Sequence, residues 1–190
     1  ATAIDDAAGN GFAGIADDTT LNFTAANVVA PVVTSVDVPA SNSYGVGATL
    51  SFIVNTSENV TVTGSPQIAF TIGGIVRQAA YASGSGSSAL VFNYVVQVGD
   101  NDGDGITMGE LGLNGGTLQN STGTNLTLAL AGVASTANVL VDTAAPKVVS
   151  VAVPTSGSYR GDSNLNFSVR TSENIIVNTA GGTPSMIITV

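Results

Sequence analysis

The densest run of charge in this 190-residue sequence is three aspartates at alternate positions, in the stretch GDNDGDGI. Asp100, Asp102 and Asp104, followed by Gly105, match the first half of a calcium-binding loop, D-x-D-x-D-G. In such a loop the aspartates supply oxygen ligands, the glycine permits a sharp turn, and the next residue, here Ile106, offers its backbone carbonyl. The spacing therefore predicts a Ca²⁺ site.

The match to a complete calcium loop stops there. An EF-hand would place a bidentate glutamate at the position of Leu111, whereas Glu110 is one residue too early and no helical pattern flanks the run. The alternative is a solvated acidic turn between two strands, kept soluble by its charges. The residues alone leave both interpretations open.

The overall charge narrows the classes of partner. Thirteen acidic residues against four basic ones give a net charge of −9, which repels phosphate backbones and anionic membranes and favours multivalent cations. No apolar run approaches the roughly 18 residues that cross a bilayer, and the first residues do not resemble a signal peptide, so any export signal would lie elsewhere. We expect no nucleic-acid binding and no membrane insertion.

The amino-acid composition lacks residue types on which many enzymes depend. The chain has no histidine and no cysteine, so Ser-His-Asp and Cys-His arrangements cannot form. The acids lie in predicted turns, whereas a glycosidase needs two opposed carboxylates in a cleft. We predict that the protein is not an enzyme.

The elements that must carry the acidic run are predicted to be β-strands. Apolar residues alternate with polar ones in ATLSFIVN, QIAFTI, ALVFNYVVQ and NLTLALA, and glycine-rich turn signals separate these segments. Without tryptophan or a disulfide, the core must rely on Phe52, Phe70, Phe92 and Tyr94. About seven to nine short strands in 115 residues predict an all-β fold of immunoglobulin-like β-sandwich modules.

The chain also contains an internal repeat. Residues 31–62 align without a gap to residues 146–177, and 17 of the 32 positions are identical at a constant offset of 115. The sequence thus predicts tandem modules: the C-terminal part of one module in 1–30, a complete module in 31–145 and the N-terminal part of the next in 146–190.

These segments resemble a known family. VDTAAPKVVSVAVP across the repeat boundary, the TSENVTV and TSENIIV segments, FTIGGIVRQAAYASGSGSSALVFNYVVQVGDNDGDGI and LNGGTLQNSTGTNLTL are similar to the immunoglobulin-like tandem repeats of large bacterial surface and secreted adhesins, including the RTX-associated class. The resemblance implies a passive extracellular stalk or adhesive surface, often stiffened by calcium, whose partners are neighbouring modules. Where relatives often carry KDAAGN, this chain has QNSTGT.

A calcium ion at each module junction would need ligands from more than one segment. Counting strands of alternating direction places the TSEN turn beside the acidic loop, so that Glu58 would join the three aspartates in one junction site. At the next junction the available pair would be Asp142 and Glu173. The alternative is that each TSEN is a turn with an exposed glutamate. A second acidic group comprises Asp5, Asp6, Asp17 and Asp18.

Two other functions stay open from the sequence. A self-assembling filament, sheath or surface-layer subunit could be built from the same modules. A glycan- or ice-binding module is the other alternative, although there is no tryptophan and the tyrosines are scattered. Tyr44 and Tyr159 recur at the repeat offset, which favours a structural corner over a ligand site.

Overall fold

A computed structural model describes residues 29–189, and these residues form strands and turns without any helix, hence without a helix that could span a membrane. The predicted all-β fold is therefore confirmed. The finer prediction of immunoglobulin-like sandwiches in tandem stays a prediction. The acidic group at Asp5, Asp6, Asp17 and Asp18 lies outside the described residues.

Eleven strands are present in the described part of the chain. They are β1 (Val33–Asp37), β2 (Asn42–Tyr44), β3 (Thr49–Thr63), β4 (Gln67–Ile72), β5 (Ile75–Ser83), β6 (Ser87–Val95), β7 (Thr107–Gly112), β8 (Thr117–Gln119), β9 (Val139–Val141), β10 (Val148–Ala152) and β11 (Ser168–Thr171).

Most strands of residues 31–145 belong to one antiparallel sheet. Its order is β1-β3-β6-β5-β4-β7, and β8 pairs with the far part of β3. Two smaller sheets accompany it: β2 pairs in parallel with β9, and β10 pairs with β11. One face of the main sheet is apolar, because buried and accessible residues alternate along its strands.

The core contains the aromatic residues that the sequence predicts. Phe52, Phe70 and Phe92 are fully buried, and Tyr94 packs against them. The ring centroids of Phe52 and Phe70 lie 5.0 Å apart, and those of Phe70 and Tyr94 lie 5.2 Å apart in an edge-to-face arrangement. Such contacts stabilise a core beyond simple area burial.

Three of the four predicted strands are present in the structure, and the fourth is not. ATLSFIVN, QIAFTI and ALVFNYVVQ lie in β3, β4 and β6, as the alternation indicates. NLTLALA is not a regular strand: it makes only isolated bridges, such as Val32 to Thr127. Its alternation has a real cause nonetheless, because Leu126 is buried and Leu128 and Leu130 pack partly against the core.

The prediction of a turn at the first TSEN is wrong. β3 continues through this segment, and the irregularity is a register shift between Asn55 and Val60 in its pairing with β6. Five steps along β3 face two steps along β6 here, so the extra residues bulge out of the pairing without ending the strand.

The second repeat reproduces the pairing of the first. β1 and β3 pair Val33 with Thr56, and β10 and β11 pair Val148 with Thr171, each with a shift at the following position. The structural role predicted for Tyr44 and Tyr159 is also confirmed, since each hydroxyl donates to the carbonyl four residues upstream. Residues 146–189 contain counterparts of β1 and β3 but none of β6.

The chain enters and leaves residues 31–145 at opposite ends. Near the start, the Val32 amide donates to the Ser57 hydroxyl, well along β3. Near the finish, Val141 pairs with Tyr44, shortly before β3 begins. These two places are separated by about 25 Å of strand. We call them the upstream end and the downstream end of the repeat.

Candidate functional site

The aspartate run lies in a loop at the downstream end, between β6 and β7. We call residues 97–106 the acidic loop. Its first aspartate, Asp100, is buried, and both of its carboxylate oxygens are occupied. The Arg77 guanidinium contacts Oδ1 at 2.6 Å through Nη2 and 2.8 Å through Nε, while the Tyr94 hydroxyl and the Gln97 amide donate to Oδ2 at 2.7 and 2.8 Å.

The protonation of Asp100 follows from these contacts. Burial alone would raise the pKa of this carboxyl, but hydrogen bonds from Tyr94, Gln97 and Arg77 and the charge of Arg77 outweigh it, so the pKa is lowered. In turn, the hydrogen bond to Asp100 raises the pKa of Arg77 despite the opposing effect of burial. Both groups are therefore charged at neutral pH.

The same cluster makes stability depend on alkaline pH through Tyr94. Burial, together with the hydrogen bond to Asp100 and the charge of that carboxylate, raises the pKa of Tyr94 to about 12. A group whose pKa is raised by folding contributes fully below its unfolded value, about 10, and loses that contribution as pH rises through the folded value. The window of loss is therefore about pH 10 to 12.

We expect Tyr94→Phe to flatten this alkaline loss, because phenylalanine cannot ionise. The free energy of unfolding of the wild type should fall by up to about 2 kcal/mol more than that of the variant between about pH 10 and 12. Urea denaturation of both proteins at several pH values measures it, with pH 8 as the internal reference. Parallel declines in the two proteins would contradict the expectation.

Asp102 organises the backbone around it. Its Oδ2 accepts from the Gly73 amide at 2.7 Å, and its Oδ1 accepts from the amides of Asp104 at 3.3 Å and Gly105 at 2.7 Å. Gly105 has a positive φ of 104°, so the sharp turn predicted there is confirmed. A Cβ at this glycine would collide with the backbone at Thr136.

The other two predicted loop ligands have different roles. Asp104 is exposed, and its carboxylate makes no hydrogen bond within the described part of the chain. Ile106 is buried in the core, and its amide donates to the Val139 carbonyl. The loop is thus held to β9 rather than open to solvent along its length.

The acidic loop also binds the segment that leaves the repeat. Asp102 and Val141 exchange backbone hydrogen bonds of 2.7 and 2.9 Å. The Asn101 Oδ1 accepts from the Thr143 amide at 2.9 Å, and the Gly99 amide donates to the Thr143 hydroxyl at 3.0 Å. The loop therefore fastens residues 141–143 to the downstream end.

A divalent cation does not fit the loop in this conformation. A carboxylate offers about four lone pairs, and Asp100 already accepts four donor contacts, two of them from a positively charged guanidinium. Asp102 accepts three amides. No group of three or more acidic side chains within residues 29–189 is placed to hold a metal ion. Calcium binding by this chain stays a prediction, but these donors do not support it here.

The structure does not bring Glu58 to the acidic loop, so the predicted shared junction site is wrong in its geometry. In the register of β3 with β6, Thr49 pairs with Val95 next to the loop, and Val60 pairs with Ser87 at the opposite end. Glu58 lies at that upstream end, where its carboxylate accepts from the Asn120 amide nitrogen at 3.3 Å. The predicted strand count included a turn at TSEN. Because β3 continues through this segment, the count is one strand too high, and β6 ends at the downstream end instead.

Asn120 organises the turn in the segment QNSTGT. It is buried, and its Oδ1 accepts from the amides of Thr122 at 3.1 Å and Thr124 at 2.8 Å. This amide side chain therefore closes the turn between β8 and the segment after it. Sequence reasoning missed that role, although asparagine is a common turn organiser.

The other predicted pair, Asp142 and Glu173, stays a prediction, and in the described part of the chain the side chain of Asp142 and the carbonyl of Glu173 make local hydrogen bonds. The Asp142 Oδ1 accepts from the Ala144 amide at 2.9 Å, which makes a local turn. Glu173 is half-buried, and its carbonyl accepts from the Thr171 hydroxyl. The first repeat has the same bond from Thr56 to the Glu58 carbonyl.

The serine of each TSEN segment forms a pair of hydrogen bonds with the first residues of its repeat, and we call this pair a clip. The Ser57 hydroxyl accepts from the Val32 amide at 3.1 Å, and the Ser57 amide donates back to the Val32 carbonyl at 2.9 Å. Ser172 and Lys147 form the same pair of bonds in the second repeat, at 3.0 and 2.8 Å. Each TSEN therefore fastens the start of its own repeat.

An open pocket of about 440 Å³ lies beside the acidic loop. Its lining includes Asn101, Asp102 and Leu140 but no aromatic side chain. Sugars usually stack on aromatic faces, and the polar groups here already have protein partners. The pocket gives no support to glycan binding.

Comparison with protein-family models, with curated proteins and with solved structures found no match to this chain.

Proposed function

We propose that this chain belongs to an extracellular bacterial surface protein of the adhesin class, in which immunoglobulin-like repeats in series act as a stalk that carries tension. The proposal rests on the repeated strand pairing and on the opposite placement of the upstream and downstream ends. Repeats with these properties extend a chain in one direction, which is what a stalk requires.

The observation that carries the proposal is a parallel pairing between the first and last segments of the repeat. Residues 31–44 run parallel to residues 127–142 through isolated bridges and through β2 with β9. Backbone hydrogen bonds are spread along this pairing: Thr127 to Pro31 at 2.9 Å, Val36 to Gly132 at 3.3 Å, Ala134 to Val36 at 3.0 Å, Asn42 to Asn138 at 3.0 Å and Asp142 to Tyr44 at 3.0 Å.

This arrangement resists a pull applied at the two ends. Tension draws residues 31–44 toward the upstream side and residues 127–142 toward the downstream side, so parallel segments must slide past each other. Their hydrogen bonds then carry the load together instead of breaking one after another. The clip at Ser57 and the acidic loop fasten the same two segments. Forced unfolding is governed by the barrier that such contacts set.

The test is single-molecule pulling of the full chain in two directions. The chain has no cysteine, so introduced thiols define the attachment points. Handles at Val29→Cys and Ala144→Cys load the parallel pairing in shear. Handles at Val29→Cys and Ser121→Cys lie at the same end and peel β1 away bond by bond. We expect residues 31–145 to unfold at clearly higher force in the first geometry.

Equal forces in the two geometries would contradict the tension-bearing role. The shared Val29→Cys handle serves as the matched control, because any damage from that substitution affects both measurements. The extracellular part of the proposal is checked separately, by labelling intact cells of the source bacterium with an antibody against this chain. Labelling that appears only after permeabilisation would contradict it.

A further inference from the structure

Arg77 has an unusual position in the charge distribution of this chain. It is the only basic residue within 31–145, and it lies on β5 with its guanidinium directed to the acidic loop. Its partner, the side chain of Asp100, is fully shielded from solvent, whereas 29% of the Arg77 side chain stays accessible. The single basic side chain of residues 31–145 therefore pairs with the most buried carboxylate of this segment.

A buried carboxylate requires compensation by opposite charge and by hydrogen bonds. Asp100 has both, since Arg77 supplies the charge, and Tyr94 and the Gln97 amide supply further donors. The remaining charged group in the buried part of the loop, Asp102, is satisfied by backbone amides. The only other loop carboxylate, Asp104, is exposed.

We propose that Arg77 is the built-in counter-ion of the acidic loop, and that its guanidinium takes the place in which the D-x-D-x-D-G spacing predicts a Ca²⁺ ion. The positive charge of Arg77 then stabilises the conformation of the loop. Its hold on residues 141–143 does not depend on calcium. This inference stands on the contacts of Asp100 and is independent of the function proposed above.

The first measurement is the melting temperature of the full wild-type chain with and without calcium. We expect the main transition to be the same in calcium chloride, in magnesium chloride of equal ionic strength, and in EDTA. Calcium present at one hundred times the dissociation constant of a native-state site would raise the melting temperature by about 10 °C. A calcium-specific rise of that size would overturn the proposal.

The second measurement removes the counter-ion. Arg77→Gln should lower the melting temperature at neutral pH by about 5 °C or more, because a buried carboxylate loses its charge partner. Arg160→Gln removes the same charge from an exposed side chain and should leave the transition unchanged. Equal effects of the two variants would show that Arg77 is not a special counter-ion.

A double variant separates charge compensation from simple packing. Asp100→Asn alone leaves the guanidinium without its partner, whereas Arg77→Gln with Asp100→Asn leaves no unpaired charge. We expect the melting temperature of the double variant to fall by less than the sum of the decreases in the two single variants. Strictly additive losses would indicate that the two side chains act only through packing, and the counter-ion proposal would fail.

Discussion

Phe52→Ala should lower the free energy of unfolding of residues 31–145 by about 4 kcal/mol. Phe52 is fully buried, pairs with Phe92 across β3 and β6, and packs against Phe70 with ring centroids 5.0 Å apart. Removing the ring leaves a cavity that the paired strands cannot close, so lost burial and lost contacts add. Urea denaturation followed by circular dichroism measures the change.

The repeat supplies a matched control for this substitution. Phe167 occupies the same repeat position as Phe52, but it is only half-buried, because residues 146–189 contain no counterpart of β6, whose Phe92 pairs with Phe52. We expect Phe167→Ala to change the free energy of unfolding by about 1 kcal/mol or less. Similar losses at the two positions would mean that the sheet around Phe52 is not the stabilising core.

The same comparison shows which parts of the fold could be predicted from sequence. Strict alternation places Leu50, Phe52 and Val54 on one face of β3, and all three are fully buried. Their counterparts Leu165 and Val169 are accessible to 37% and 48%, although the residue types are identical. A pattern can therefore predict a strand and its face, but burial depends on the strands that cover that face.

The alternation of apolar residues indicated that β3 continues through TSEN, but the residue types of TSEN favoured a turn. Ser57, Glu58 and Asn59 favour turns, and for this reason a strand end was predicted there. Yet Val60 and Val62 keep the parity of Phe52 and Val54, so the period of two is unbroken across the segment. Following the parity would have removed one predicted turn from the strand count and placed the acidic loop at the downstream end, opposite Glu58.

The contacts of the acidic loop could not be predicted in this way. Asp100, Asp102 and Asp104 look equivalent in sequence, but the first two are buried and the third is exposed. Asp100 is held by Arg77, which lies 23 residues away in the chain, and Asp102 is held by the backbone amides of Gly73 and Gly105. The only available hint was that Arg77 is the single base in 31–145.

Asp102→Ala should produce the second large effect, a loss of about 3 kcal/mol in the free energy of unfolding. The carboxylate accepts three backbone amides, of which those of Gly73 and Gly105 are at 2.7 Å. Hydrogen bonds to a charged group are stronger than neutral ones, and burial leaves little room for water to replace them. The control is Asp104→Ala, which removes the same charge from an exposed position and should stay within about 0.5 kcal/mol.

The site of the damage distinguishes this role from a general loss of stability. The backbone of Asp102 pairs with Val141, so a loosened loop should release β9 before the main sheet opens. Hydrogen exchange of the Val141 amide should accelerate in Asp102→Ala relative to amides of β3 and β6, and should be unchanged in Asp104→Ala. If Asp102→Ala accelerated all amides equally, the loop would not be the fastener of the downstream end, because its loss would then be indistinguishable from global unfolding.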